Sequence, residues 1–344
     1  MWIVRGSRVL AALTALCLLA GCAVDSTVEA AASHGDALED LEHDHDESDA
    51  PSGPEERAPS RPATLSRGAF GFTTLDVGQG DAAVVLSPRG CVALLDGGPT
   101  GSGKSIKHYL RSLSIDRIDF AVVSHYHEDH MGGIDEVEEG DDAIPIGKVY
   151  DHGGSYNSGA YRQYDRQFRG RRVATATGDA FSLCDEVDFE VVASNANGQA
   201  TSDENARSVV VKVTYGELDV LVGGDLTFGG PNMEASVAAE VGPIEIYKVH
   251  HHGAAGSSSA RFLEGTMPTV SLISVAQNNS YGHPTEAALS RLSAVGSDVW
   301  RTAGTAETRG HLEVVSTDGS SFTVTKNDLT STYRSKPAPS ADTR

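Results

Sequence analysis

The ten residues Ser124–Gly133 read Ser-His-Tyr-His-Glu-Asp-His-Met-Gly-Gly and place three imidazoles and two carboxylates in the six positions 125–130. Imidazole nitrogen and carboxylate oxygen suit Zn²⁺, Mn²⁺ or Fe, and a site that leaves one coordination position open keeps a water there for chemistry. His125 and His127 stand two apart, so an extended backbone sends both side chains the same way. Asp129 and His130 follow on a turn that can aim them at a point nearby. Such a cluster can hold two cations rather than one. Upstream, the run Asp119–Val123 has the apolar character of a buried strand, and Gly132-Gly133 opens a segment of helical spacing. The cluster therefore sits where a strand ends.

Further segments carry residues of the same kind: Leu75-Asp76-Val77-Gly78-Gln79-Gly80-Asp81-Ala82, Leu94-Leu95-Asp96-Gly97-Gly98, Gly223-Gly224-Asp225, Lys248-Val249-His250-His251-His252-Gly253 and Tyr281-Gly282-His283-Pro284. With His125–His130 and in this order, they resemble the metallo-β-lactamase fold with its His-x-His-x-Asp-His signature. More narrowly, residues 69–329 look like the extracellular hydrolase domain of the DNA-uptake channel protein ComEC and its free-standing relatives. That resemblance implies an α/β fold built as a four-layer αββα sandwich. It implies that His125 and His127 hold one metal, that Asp129 and His130 hold the other, and that Asp225 bridges them. Of the three consecutive histidines the match selects His251 and His252. We expect His251 to ligate the second metal, with His252 behind the ligands or against substrate. Two zinc ions are the expected cofactor, with Mn²⁺ or Fe as alternatives. One departure stands out: classical members place another His between the first motif and the bridging Asp, and here that stretch offers only His152. The first metal is then weakly held or completed by substrate, and occupancy by a single metal stays open.

Two cations about 3.5–4 Å apart acidify a shared water and stabilise a leaving oxygen, which serves phosphodiester, lactone or amide hydrolysis alike. Asp129 is expected to take part in catalysis as well as ligation. Asp96 either orients the metal loop or caps a turn. Asp76 and Asp81 flank Gly78-Gln79-Gly80, a turn able to approach substrate because glycine lacks a side chain. His283 could protonate a leaving group or hold a phosphate. Within Tyr161–Arg172, five Arg and three aromatic residues form the one basic patch; Arg166 and Arg169 either contact phosphate or pair with nearby acids.

The chain has 344 residues and a formal net charge of -21. A strongly acidic molecule repels a polyanion, so high-affinity non-specific binding of nucleic acid is not expected, while oligomeric state stays open. Residues 1–22 read as a leader: Arg5 and Arg8, an apolar stretch too short to span a bilayer, then Leu19-Ala20-Gly21-Cys22, which resembles a bacterial lipobox. Export and membrane anchoring through lipidated Cys22 follow as expectations. Residues 23–68 lack the apolar content to fold and read as a tether, in which Glu42–Glu47 alternates His with acids. Cys91 and Cys184 remain, either paired or as two buried thiols.

The elements that must position this chemistry are short apolar runs bounded by glycine. Strands are expected at Phe70–Val77, Ala82–Leu86, Val92–Leu95, Ile118–Val123, Val187–Val192, Ser208–Tyr215, Leu218–Val222, Ile244–Val249, Val270–Val275, Val299–Thr302, Leu312–Ser316 and Phe322–Lys326. Helices are expected at Ser102–Leu113, Gly133–Glu139, Pro231–Val241, after Ser259, and at Thr285–Leu292. Residues 140–180 read as the least regular part, and 330–344 as a flexible tail. The functional expectation is an exported metal-dependent hydrolase of phosphodiesters such as DNA or nucleotides. A lactonase or β-lactamase-like enzyme is the alternative within the fold, and a non-catalytic zinc-binding surface lipoprotein the alternative outside it.

Overall fold

The computed structural model describes residues 68–336. The leader, Cys22 and the acidic His tract lie outside the described residues. In chain order the first strands are β1 (Phe70–Thr74), β2 (Ala83–Leu86), β3 (Val92–Leu95), β4 (Ile118–Val122), β5 (Ile146–Asp151), β6 (Arg172–Ala174), β7 (Ala180–Leu183) and β8 (Val187–Ala193). There follow β9 (Val210–Tyr215), β10 (Leu218–Val222), β11 (Ile246–Lys248), β12 (Val270–Ile273), β13 (Asp298–Arg301), β14 (Leu312–Ser316), β15 (Ser321–Lys326) and β16 (Leu329–Arg334). The helices are α1 (Gly103–Ser112), α2 (Glu128–Met131), α3 (Gly159–Phe168), α4 (Met233–Val241), α5 (Ala260–Thr266) and α6 (Glu286–Ala294).

Two sheets form, in the orders β16-β15-β14-β1-β2-β3-β4-β5-β6 and β13-β12-β11-β10-β9-β8-β7. Central strands such as β2 and β3 read as continuous apolar runs because both faces are covered. In β3, Ala93 and Leu95 enter the core between the sheets, where Phe189, Val213 and Val220 meet them. Val92 and Leu94 face the other way, toward Ile106 and Leu110 of α1 and Tyr164 and Phe168 of α3. On the second sheet, Leu221 and Tyr247 pack outward against Val237 of α4, Phe262 of α5 and Leu292 of α6. The layers are thus helix, sheet, sheet, helix, the αββα sandwich that the sequence resemblance implies.

Each sheet contains a parallel run, β3-β4-β5-β6 in one and β10-β11-β12-β13 in the other. Loops leaving the carboxyl ends of parallel strands are the usual place for a site in open α/β sheets, and the metal loop leaves β4 there. Cys91, before β3, forms a disulfide with Cys184, after β7, with Cα atoms 6.1 Å apart. Linking residues 93 positions apart stabilises the fold by about 4–5 kcal/mol on the chain-entropy view.

Three expectations change. Residues 140–180 hold β5, α3 and β6, because Tyr161, Tyr164 and Phe168 recur at helical spacing and bury one face of α3. The short acidic helix expected at Gly133–Glu139 is one 3-10 turn, Asp135–Glu138, while the α-helical turn α2 lies inside the metal loop. Finally, the chain does not fray at 330: β16 pairs antiparallel with β15, from Lys326↔Leu329 to Ser321↔Arg334. Its alternating Thr and Ser residues carry no apolar signal.

Candidate metal centre

Five loops converge at the carboxyl ends of β3, β4, β10, β11 and β12. Asp96 follows β3 with φ +57°. Its Oδ1 accepts from Ser124 N at 2.7 Å, and its Oδ2 from Ser124 Oγ at 2.7 Å and His130 Nδ1 at 3.0 Å. A carboxylate beside Nδ1 assigns the proton to that nitrogen and leaves Nε2 as the free acceptor. His130 Nε2 then lies 3.0 Å from Asp225 Oδ1. Neither atom has a hydrogen-bonding partner, although both are buried.

His252 repeats the arrangement. Its Nδ1 donates to Ser274 O at 3.0 Å, with Asp81 Oδ1 3.3 Å away. Nε2 is directed inward, 3.3 Å from Asp129 Oδ2 and 3.7 Å from Asp225 Oδ1. Lys248 Nζ grips both oxygens of Asp81 at 2.6 Å, a buried pair that fixes the carboxylate under the imidazole. On the other side, His125 Nε2 and His127 Nδ1 come within 3.0 Å of each other.

Two donor sets meet at Asp225, with a third grouping, Asp81, Asp96 and His130, behind them. Asp129, His130, Asp225 and His252 offer four ligand atoms within 4.8 Å of one another, and His125, His127 and Asp225 offer three. Asp225 belongs to both. Backbone contacts hold the metal loop rigidly: Asp81 N donates to Asp129 O at 2.9 Å, and Gly97 N donates to His130 O at 2.5 Å. Gly80, with φ +147°, lies so close to Asp129 O that any Cβ would collide with it.

The electrostatics match a site built for cations. Burial opposes the charged form of Asp225, yet His130 and His252 hold it well below the ordinary carboxylate range. Burial likewise opposes protonation of His252, but Asp225 and Asp81 push it up to about 10. His130 is raised by Asp225 and Asp129 against the same penalty. His125, buried and beside His130, is pushed well below the usual imidazole value and stays neutral. A divalent cation fits here, since it would replace the protons on the two imidazoles and satisfy the unpartnered His130 Nε2 and Asp225 Oδ1.

A cavity of about 490 Å³ opens onto this cluster, lined among others by His127, Asp129, Asp225, His251, His252 and His283. The structure thus brings His125, His127, Asp129, His130 and Asp225 together. The two candidates from the His triplet exchange roles, because residues 251 and 252 both take positive φ, 53° each, and that turn swings His252 inward. His251, with Nε2 3.4 Å from Asp225 Oδ2, is left at the wall of the cavity and 27 % exposed. Asp81 and Asp96 stand behind His252 and His130, and His283 lines the cavity. Asp76 does not: its Oδ1 caps the turn at Gly78 N, and its own N–H donates to His311 Nδ1. Arg166 and Arg169 do not line the cavity either; Arg169 is taken up by Asp165 one helical turn earlier. His152 turns away to Glu204, its Nε2 2.9 Å from Oε1.

Other participants escaped the sequence reading. Glu204 accepts from Tyr126 N as well as from His152, steadying the metal loop from 78 residues away, and no local pattern announces it. Lys248 could have been found, being a lone cation closing an apolar strand. His250, two residues before the inward His252, is buried against Glu234 at 3.3 Å, which anchors the triplet to α4.

The family model described as Metallo-beta-lactamase superfamily matches residues 75–276. Competence protein ComA of Neisseria gonorrhoeae is 28 % identical over 245 residues, covering 70 % of this chain and 32 % of that protein. ComE operon protein 3 of Bacillus subtilis (strain 168) is 26 % identical over 249 residues, covering 66 % and 31 %. The chain therefore spans about a third of the length of these relatives. Among solved structures, CmlA, a diiron beta-hydroxylase from Streptomyces venezuelae, aligns at 14 % identity and a TM-score of 0.47, over 71 % of this chain and 53 % of its own.

Proposed function

The chain belongs to the metallo-beta-lactamase superfamily of metal-dependent hydrolases, and from that premise we propose that it hydrolyses phosphodiester bonds, in DNA or nucleotides, outside the cytoplasm. The observation that carries this reading is Asp225, a single buried carboxylate shared by two donor sets. His125, His127 and Asp225 would hold one divalent cation, and Asp129, His130, Asp225 and His252 a second; zinc suits both sets, with Mn²⁺ or Fe as alternatives. When bound, such a pair supplies Lewis acidity and a water nucleophile near neutral pH, the requirement of an in-line displacement at phosphorus.

The chain's own residues do the remaining work. Asp96 and Asp81 keep His130 and His252 oriented, so the inward nitrogens are set before substrate arrives. His283 is depressed by burial and by His251, so at neutral pH its ring is neutral and offers an N–H to a phosphoryl oxygen rather than a proton to a leaving group. A relative named as a competence protein favours nucleic acid over a lactam, and His152, turned to Glu204, leaves the first donor set without a third imidazole. The disulfide supports export, since such bonds persist in oxidising compartments. Lipidation at Cys22 belongs to the same proposal; Cys22→Ala should move the protein from the membrane to the soluble fraction, and an unchanged partition would reject the anchor.

The test is turnover by zinc-loaded full-length protein of bis(p-nitrophenyl) phosphate, single-stranded DNA and a β-lactam. We expect diester hydrolysis, reduced at least about 10³-fold in Asp225→Ala with the unfolding midpoint retained. Lactam turnover without diester turnover would install the β-lactamase-like reading. Silence on every substrate with cations bound would leave a zinc-binding protein.

A further inference from the structure

Four large hydrophobic side chains are exposed among the described residues, and of these Tyr281 alone lines the cavity at the metal centre. It is 68 % exposed. One ring face stacks on His283, with centroids 5.8 Å apart and planes 20° from parallel, and His283 in turn stands 5.8 Å from His251. The loop beneath is fixed by Asn279, whose Oδ1 accepts from Tyr281 N at 3.1 Å and His283 N at 3.0 Å. Asn279 Nδ2 also donates to Ala276 O and His283 O, at 3.0 and 2.6 Å. A flat apolar ring is thus held in place, backed on one side and open on the other. Leaving it in water forgoes the burial that such a ring ordinarily gains.

The cavity's charge says what such a ring is for. Neither Lys nor Arg lines it, while Glu128, Asp129 and Asp225 do, in a chain of net charge -21. Side-chain cations therefore supply no grip on neighbouring phosphates, the usual source of affinity for nucleic acid. Stacking needs no charge, works with every base, and costs little when the ring is already ordered. Resting on the phosphodiesterase reading, we propose that Tyr281 is the specificity-determining platform on which an unpaired nucleobase of the substrate stacks, so that the preferred substrate is a single-stranded end or a nucleotide ester.

Two measurements on metal-loaded full-length protein decide it. The first compares kcat/KM for thymidine 5′-(p-nitrophenyl phosphate) with that for methyl p-nitrophenyl phosphate, which has no base. Wild type should favour the nucleotide, and Tyr281→Ala should lower that ratio about tenfold, mainly through KM. Tyr281→Trp should keep or raise it. The second compares binding of thymidine 5′-monophosphate and deoxyribose 5-phosphate by calorimetry, with the same tenfold loss of preference in Tyr281→Ala. Equal binding of the two by wild type, or a preference that survives Tyr281→Ala, overturns the platform. Absence of turnover of both esters would sink only the phosphodiesterase reading, because the calorimetric comparison would still decide on Tyr281.

Discussion

Two regions of this protein crowd charged and aromatic side chains together, the metal loop with its converging partners and the arginine-rich segment of α3 and β6, and they spend their hydrogen-bonding capacity in opposite ways. Around Arg172 every donor is answered within the chain. Its Nε reaches Asp151 at 2.6 Å, Nη1 reaches Asp165 at 2.6 Å, and Nη2 reaches Tyr126 Oη at 2.6 Å. Arg171 forks onto Glu138 at 2.7 and 2.6 Å. At the metal centre, by contrast, His130 Nε2 and Asp225 Oδ1 lie buried and unanswered. Unspent capacity, rather than density of charge, distinguishes a place that receives a ligand from a place that braces the fold.

Breaking the brace gives the largest effect on stability. Asp151 is fully buried, so Arg172→Ala strands its charge and should cost about 3–5 kcal/mol in urea unfolding, with zinc stoichiometry unchanged. Loss of zinc without loss of stability would reverse the roles assigned to the two regions.

Glu313 sharpens the contrast, as a buried carboxylate with neither an arginine fork nor a cluster of imidazoles. Burial pushes it up to about 7, only partly offset by a hydrogen bond from Tyr109. The folded protein therefore keeps a proton that the unfolded chain releases near its ordinary value. Stability from this group is present at low pH and is lost as pH rises from about 4.5 to about 7, by about 3 kcal/mol at most. Glu313→Gln should remove that slope, read as the difference in urea midpoints between pH 5 and pH 7.5. An identical slope in the variant would contradict the assignment.

Smaller effects come from the groups behind the ligands. Asp96→Ala frees His130 Nδ1 and should weaken zinc binding about 10- to 100-fold. Arg169→Ala should leave the urea midpoint essentially unchanged, because its pairing with Asp165 is exposed. A large loss of diester turnover in Arg169→Ala would restore the phosphate contact that the geometry removes.

What was legible in the sequence follows from how far each signal travels. Apolar runs bounded by glycine reveal most strands, because burial on both faces is written into consecutive residues such as Val92–Leu95. The spacing of His125, His127, Asp129 and His130 survives in the structure because one strand end and one helical turn carry all four. The choice between His251 and His252 was beyond reach, since two successive left-handed residues set it and no periodicity records them. Arg171 and Arg172, counted in the basic patch, are answered by Glu138 and Asp151, 33 and 21 residues away, which no local pattern records. β16 was invisible for another reason: it completes a sheet edge with Thr and Ser and buries little.

Anomalous diffraction at the zinc edge, from crystals of the zinc-loaded protein, bears most directly on the shared carboxylate. Two peaks should be found, one among His125, His127 and Asp225 and one among Asp129, His130, Asp225 and His252, with both weakened in Asp225→Ala. No peak at these atoms in the wild type, or two undiminished peaks in the variant, would contradict the account.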